Sequence, residues 1–177
     1  MVVVEYDKEW PQDFLKIKTE LQKAITVMSN IQHVGSTSIP GMKAKPIIDI
    51  DVGLKNWEDF ENVKSKLATI GYEYEGDRGI TGREAFCRNG KVQNKILDNI
   101  DHHLYVCSVD NEEYKRHILF RDYLRSNSEA RDRYNQIKDE ILAKVGSENR
   151  ADYVQIKEDD YGDFFEEIIE KAKSLKS

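Results

Sequence analysis

The stretch Pro46-Ile-Ile-Asp-Ile-Asp-Val-Gly constrains this chain more than any other segment. Ile48, Ile50 and Val52 alternate with Ile47, Asp49, Asp51 and Gly53. That is the period of two of a strand with one apolar face and one face carrying both carboxylates. Carboxylates this close repel each other unless positive charge stands between them. A divalent cation meets that need, and Mg²⁺ prefers hard oxygen ligands together with substrate phosphates. Upstream lies Gly35-Ser36. Glycine lets the backbone approach a phosphate, and free N–H groups at a turn can cradle it; the Ser36 hydroxyl adds a donor. A Gly-Ser turn alone carries almost no information, and an Asp-x-Asp alone is often a solvated strand face. The combination at this spacing points to a phosphate-and-metal site, where two ions would activate a hydroxyl and stabilise a leaving pyrophosphate.

The rest of the chain supplies the frame. Pro11 suits a first helical position, and Phe14, Ile17, Leu21 and Ile25 recur at helical spacing. Ile31 to Val34 reads as a short strand, and Gly35 to Pro46 as turn-rich. Asn56 and Asp59 open a helix with the stripe Phe60, Val63, Leu67 and Ile70, closed by Gly71. Tyr72 to Tyr74 reads as a strand. Asn89-Gly90 predicts a two-residue hairpin turn between Ala85–Arg88 and Lys91–Gln93. His102 to Cys107 reads as one more strand. No proline follows position 46, so long helices are free to form. Asp110 with Glu113 resembles a capping box, Ser128 is placed to cap a second helix ending at Gly146, and a last helix is expected over about 151–175. Strands first and helices later predict an α+β domain, taken as one unit over residues 1–177 and helical from about residue 110.

Composition narrows the function. A length of 177 residues suits one domain. No apolar run reaches the roughly 20 residues of a membrane span, and the start MVVVEYDKEW lacks signal-peptide features. The expectation is therefore a cytoplasmic protein without a membrane partner. Cys87 and Cys107 have no metal-type spacing and are expected to be free thiols. A net charge of −6 argues against nucleic acid as a partner.

The segment His33-Val-Gly-Ser-Thr-Ser-Ile-Pro-Gly-Met-Lys-Ala-Lys-Pro-Ile-Ile-Asp-Ile-Asp-Val resembles the signature of the GrpB family (UPF0157). The resemblance continues at Tyr6-x-x-x-Trp10-Pro11, His102-His103-Leu-Tyr-Val, Phe120-Arg-Asp-Tyr-Leu-Arg, Tyr134-x-x-x-Lys138 and Tyr153-x-x-x-Lys157. It implies the polymerase-β-like nucleotidyltransferase fold: a mixed sheet with flanking helices and a helical C-terminal subregion. By the resemblance, Gly35 and Ser36 would bind a triphosphate and Asp49 and Asp51 would bind Mg²⁺. Some relatives are fused to dephospho-CoA kinase, and no established substrate comes with the family. Two departures stand out. Gln32 replaces the family's frequent Glu, and Pro40, Gly41 and Pro46 stiffen a connection that many superfamily members build as a helix.

The superfamily usually adds a third carboxylate from a later strand. Here that strand reads Asp101-His-His-Leu-Tyr-Val. His103 shares a face with Tyr105, so His103 is a candidate metal ligand or general base, with Asp101 the competitor. Lys45 precedes the carboxylate strand and could reach a phosphate. Arg121 is the favoured arginine for forked phosphate contact, with Asp122 orienting it; Arg125, Arg83 and Arg88 are read as surface charge. Lys138 and Lys157 are assigned helix-end or structural roles, a nucleotide contact staying open. His33, Tyr6 and Trp10 are read as packing residues. The functional expectation is a Mg²⁺-dependent transferase moving a nucleoside monophosphate from a nucleoside triphosphate, ATP by preference, to a small-molecule or protein acceptor. The alternative is a non-catalytic nucleotide-binding or protein-interaction module that retains the fold.

Overall fold

A computed structural model describes residues 3–146 and 149–175. The carboxylate strand, β2 (Ile48–Leu54), lies inside a five-stranded mixed sheet. Its neighbours are β1 (Ser29–Val34), antiparallel, and β5 (His102–Ser108), parallel. β4 (Arg83–Arg88) and β3 (Tyr72–Tyr74) complete the order β1-β2-β5-β4-β3. The predicted alternation on β2 is realised. Ile48, Ile50 and Val52 are buried in one core with Phe14, Ile17 and Leu21 of α1 (Trp10–Ala24) and Val63 and Leu67 of α2 (Phe60–Thr69). The opposite face carries Asp49 and Asp51, opposite His103 and Tyr105 on β5 and Val34 and Gln32 on β1.

A second core holds the C-terminal helices together. Leu124 of α4 (Glu112–Ser126), Tyr134, Ile137 and Ile141 of α5 (Ser128–Val145), and Tyr153 and Ile168 of α6 (Arg150–Ser174) pack around Ile39 and Met42 from the turn-rich segment. The helical part is therefore clamped to the loop that follows Gly35. It reaches the sheet at Gly53, where the Tyr114 ring of α4 lies over the backbone: a Cβ on Gly53 would come within 2.6 Å of the Tyr114 ring.

Three local expectations differ from the structure. Asn89-Gly90 does not join two paired strands. After β4 the backbone N–H of Asn89 donates to Gly71 O, and Arg88 reaches back to Val92 O and Asp98. Residues 91–93 are thus held as a bend leading to a short helix, α3 (Lys95–Asn99), that sequence periodicity did not reveal. The hairpin is instead β3–β4, joined by residues 75–82. The helix caps fall one residue from the expected positions. Asn111 rather than Asp110 accepts the Tyr114 N–H, and Asn127 rather than Ser128 accepts that of Ala130, because the Asn side chain reaches the third residue of the turn in each case.

Filling the contact under Tyr114 tests how α4 is seated. Gly53→Ala is expected to lower stability by about 1–3 kcal/mol, the usual cost of overpacking a fitted contact. Urea unfolding would show this as a lower midpoint at unchanged slope.

Candidate functional site

The loop after β1 is built to hold Ser36 against the carboxylate strand. Gly35 has φ 68°, and a Cβ there would collide with Asp49 Oδ2. No other residue tolerates both the left-handed conformation and the contact. A 3-10 turn, Ser36–Ser38, follows, its Ser38 hydroxyl donating back to Gly35 O at 2.6 Å. Thr37 is buried and donates to Ile47 O at 3.3 Å. Its oxygen accepts from His33 Nε2 at 3.0 Å, and His33 stacks on Phe14 at 4.8 Å. Burial, helped by the Arg125 charge, pulls the His33 pKa down to about 4, so this ring is a neutral structural element.

Each carboxylate meets a histidine. His103 Nδ1 donates to Asp49 Oδ1 at 2.8 Å, and His117 Nδ1 on α4 donates to Asp51 Oδ2 at 2.7 Å. Asp49 keeps about a third of its side chain exposed, whereas Asp51 has no exposed surface. Burial lowers the His117 pKa, but the hydrogen bond and charge of Asp51 outweigh it and leave it raised. Asp51 Oδ1 is buried without a hydrogen-bond partner among the described residues. An orphaned buried oxygen costs on the order of 1–3 kcal/mol.

Lysines stand on the other side of Ser36. Lys138 is buried, and its Nζ donates to Ser36 Oγ at 2.7 Å and to the carbonyl of Lys43. Burial, reinforced by the neighbouring Lys157 charge, brings its pKa down to about 7. A cavity of about 200 Å³ there is lined by Ser36, Lys45, Asp49, His103, Lys138 and Lys157 among others. A cleft of about 370 Å³ adjoins it, sharing Ser36, Asp49, Tyr134 and Lys157. This cleft adds Asp51, Arg83, Tyr105 and His117, with an aromatic wall of Phe120, Tyr134 and Phe165. The largest cavity, about 570 Å³, lies toward β4 and shares only Tyr105 with the cleft and His103 with the lysine cavity. It contains neither carboxylate of β2, so the chemistry favours the smaller pair despite its size.

Of the residues singled out in the sequence, Gly35, Ser36, Lys45, Asp49, Asp51 and His103 come together. Asp101 lines the largest cavity, away from both β2 carboxylates. Arg121 is not brought to them either. It is buried, with Nη1 donating to Gln32 Oε1 at 2.8 Å and His33 O at 3.0 Å, and Nε donating to Asp122 at 2.8 Å. These bonds use it to fasten α4 to β1. Arg125 does similar work, donating to Ser38 O at 2.9 Å. Sequence reasoning passed over His117 and gave Lys138 a helix-end or structural role while leaving a nucleotide contact open. The signal for His117 was a polar stripe at spacing four, Glu113, His117, Arg121 and Arg125, on one helix face.

Among the described residues, no three His, Cys, Asp or Glu side chains form a cluster that would hold a metal ion unaided. The donor set nevertheless suits Mg²⁺. Two carboxylates share a strand face, each is turned by a histidine, and Asp51 keeps an unpartnered oxygen. Mg²⁺ takes one or two carboxylates and completes its shell with water and substrate phosphates.

Comparison with known proteins bears on the family and the fold. A family model described as GrpB protein matches residues 1–171. The chain is 32% identical over 143 residues to UPF0157 protein YqkA of Bacillus subtilis, spanning 80% of this chain but only 40% of that protein. It is 31% identical over 153 residues to glutamate-rich protein GrpB of Alkalihalophilus pseudofirmus, spanning 85% and 86%. The crystal structure of GrpB from Enterococcus faecalis matches with a TM-score of 0.79 at 29% identity, over 96% of this chain and 98% of that one. The poly(U) polymerase Cid1 bound to MgATP matches with a TM-score of 0.51 at 10% identity, over 80% of this chain and 44% of that one. At that identity the likeness concerns the fold, a nucleotidyltransferase-like mixed sheet with flanking helices.

The buried ammonium of Lys138 has a measurable consequence. Its pKa lies below that of an unfolded lysine, so the unfolded chain binds more protons between about pH 7 and 10.5. Stability should therefore rise with pH through that window, by up to about 1.4 kcal/mol per unit for one proton. Urea unfolding of wild type and Lys138→Met at pH 6.5 to 9.5 would show the rise in the first and its loss in the second.

Proposed function

The chain belongs to the GrpB family, and from that premise we propose that it is a Mg²⁺-dependent nucleotidyltransferase, moving a nucleoside monophosphate from a nucleoside triphosphate to an acceptor hydroxyl. The observation that carries the reading is a pair of adjoining hollows, sharing Ser36, Asp49 and Lys157, in which three lysines stand beside two strand-borne carboxylates. Gly35 and Ser36 offer backbone and hydroxyl donors to the triphosphate, with Lys45, Lys138 and Lys157 balancing its charge. Asp49 and Asp51 would hold Mg²⁺, which when bound supplies charge neutralisation at the triphosphate. The aromatic wall of Phe120, Tyr134 and Phe165 offers a stacking surface for the nucleoside. ATP is the favoured triphosphate. In the transfer, a bond forms between the acceptor oxygen and the α-phosphorus while the bond to pyrophosphate breaks. His103, whose Nδ1 donates to Asp49, would steady that carboxylate for the ion, and the hydroxyl proton would pass to solvent water. The acceptor is a small molecule or a protein.

One observation favours a second reading, a nucleotide-binding or interaction module without turnover. The position opposite Asp49 on β5 is His103, where the superfamily pattern expects a carboxylate.

Calorimetry with each nucleoside triphosphate, with and without Mg²⁺, separates the possibilities. Wild type should bind in a Mg²⁺-dependent way, and Asp49→Asn with Asp51→Asn should abolish that binding while circular dichroism stays unchanged. Equal binding by both proteins would sink the site assignment. Binding without pyrophosphate release across a broad acceptor screen would favour the module.

A further inference from the structure

Arg83 is a cation of the cleft for which the described residues supply no ion-pair partner. Its guanidinium carbon lies 4.3 Å above the Tyr105 ring. Its Nε is buried without a hydrogen-bond partner, and among the described residues it makes no ion pair. The other arginine lining this cleft, Arg116, is held by Glu166 at 2.5 Å and Glu113 at 3.4 Å. The lysines around Ser36 stand at the Asp49 end of the cleft. The Arg83 backbone stands beyond Asp51: it pairs with Cys107, which pairs with Gly53, two residues or about 7 Å along β2 from Asp51. Its side chain folds back over Tyr105, the residue opposite Asp51 on β5.

This placement matters for the direction of attack. In transfer at phosphorus the incoming and leaving oxygens lie roughly in line. With the leaving pyrophosphate at Ser36 and Lys138, the acceptor arrives from the opposite side, where Arg83 and Tyr105 stand. On the transferase reading the nucleoside would take the aromatic wall of the helices. One face of the guanidinium is covered by Tyr105, so what it offers is its edge of N–H donors, the geometry that matches a carboxylate or phosphate.

Resting on the transferase reading above, we propose that Arg83, held on Tyr105, binds an oxyanion of the acceptor, so that the acceptor is a small hydroxyl compound bearing a phosphate or carboxylate. A single guanidinium in a cleft of about 370 Å³ fits a small molecule. A polynucleotide backbone would call for a row of cations.

The test follows the Arg83 side-chain N–H signal by NMR in the ¹⁵N-labelled full chain, assigned by its loss in Arg83→Lys. Inorganic phosphate and acetate are titrated separately, each with and without saturating α,β-methylene ATP and Mg²⁺. Phosphate or acetate should move the signal in both states, the stronger of the two identifying the acceptor's anion. Arg83→Gln should weaken that anion about tenfold or more, as loss of a charge-assisted fork does, with Arg83→Lys intermediate. Affinity for the analogue should change less than about twofold, since an interaction remote from the nucleotide adds independently. Loss of the anion response once the analogue is bound, or a tenfold loss of analogue affinity in Arg83→Gln, would assign Arg83 to the nucleotide and overturn the proposal. No response from either anion in the free protein would overturn it as well. If the analogue does not bind wild type at all, the transferase reading fails. A phosphate response at Arg83 would then leave an oxyanion site standing without its acceptor role.

Discussion

Asp51 is a carboxylate with no exposed surface, on a strand that already carries Asp49 two residues earlier. Burying such a group without a partner costs on the order of several kcal/mol, so its surroundings have to answer it. The answer comes from α4, whose His117 donates to Oδ2. That bond requires α4 to cross the carboxylate face close to β2. Gly53 allows the approach under Tyr114, and Arg121 fastens the same helix to Gln32 and the His33 carbonyl on β1. Three residues spaced about one helical turn apart, Tyr114, His117 and Arg121, thus tie the helical part to the sheet. The remaining oxygen of Asp51 is buried without a hydrogen-bond partner among the described residues.

The same economy applies at the loop. Gly35 touches Asp49, Thr37 and Ser38 tie the turn to neighbouring carbonyls, and Ile39 and Met42 anchor its far end in the helical core. Ser36 is left pointing at Lys138, a lysine so enclosed that its ammonium is disfavoured. A polyphosphate entering there would relieve that burial by supplying negative charge, and would meet the carboxylates only if a cation stood between. Electrostatic complementarity therefore runs along the adjoining hollows. Lysines stand at one end, carboxylates in the middle, and an arginine held over a tyrosine ring at the other.

Much of the fold was legible because its signals are local. The alternation in residues 47–53 placed Ile48, Ile50 and Val52 in the core, and the stripe of α1 placed Phe14, Ile17 and Leu21 beside them. The positive φ of Gly35 follows from a steric rule that holds in any context. Where the reading differed, distant groups competed for the same backbone. Asn89-Gly90 is a sound hairpin signal, but Arg88 and Gly71 draw the following residues elsewhere. Arg121 looked like a phosphate ligand from its motif, yet its donors are used within the chain.

By itself the sequence determined the carboxylate strand, the glycine turn before it, most of the strands and helices though not α3, and the resemblance to GrpB proteins, because these depend on side-chain period, backbone sterics and motif spacing. Only the tertiary structure decided which polar side chains meet. His103 rather than Asp101 meets Asp49, His117 meets Asp51, Lys138 meets Ser36, and Arg83 comes to rest over Tyr105 without an ion pair among the described residues. Those pairings join residues 54, 66 and 102 positions apart, as with His103, His117 and Lys138. No local pattern encodes such distances. They are set by sheet register and by the docking of α4 and α5, where burial makes each unpaired polar atom costly enough to select one arrangement.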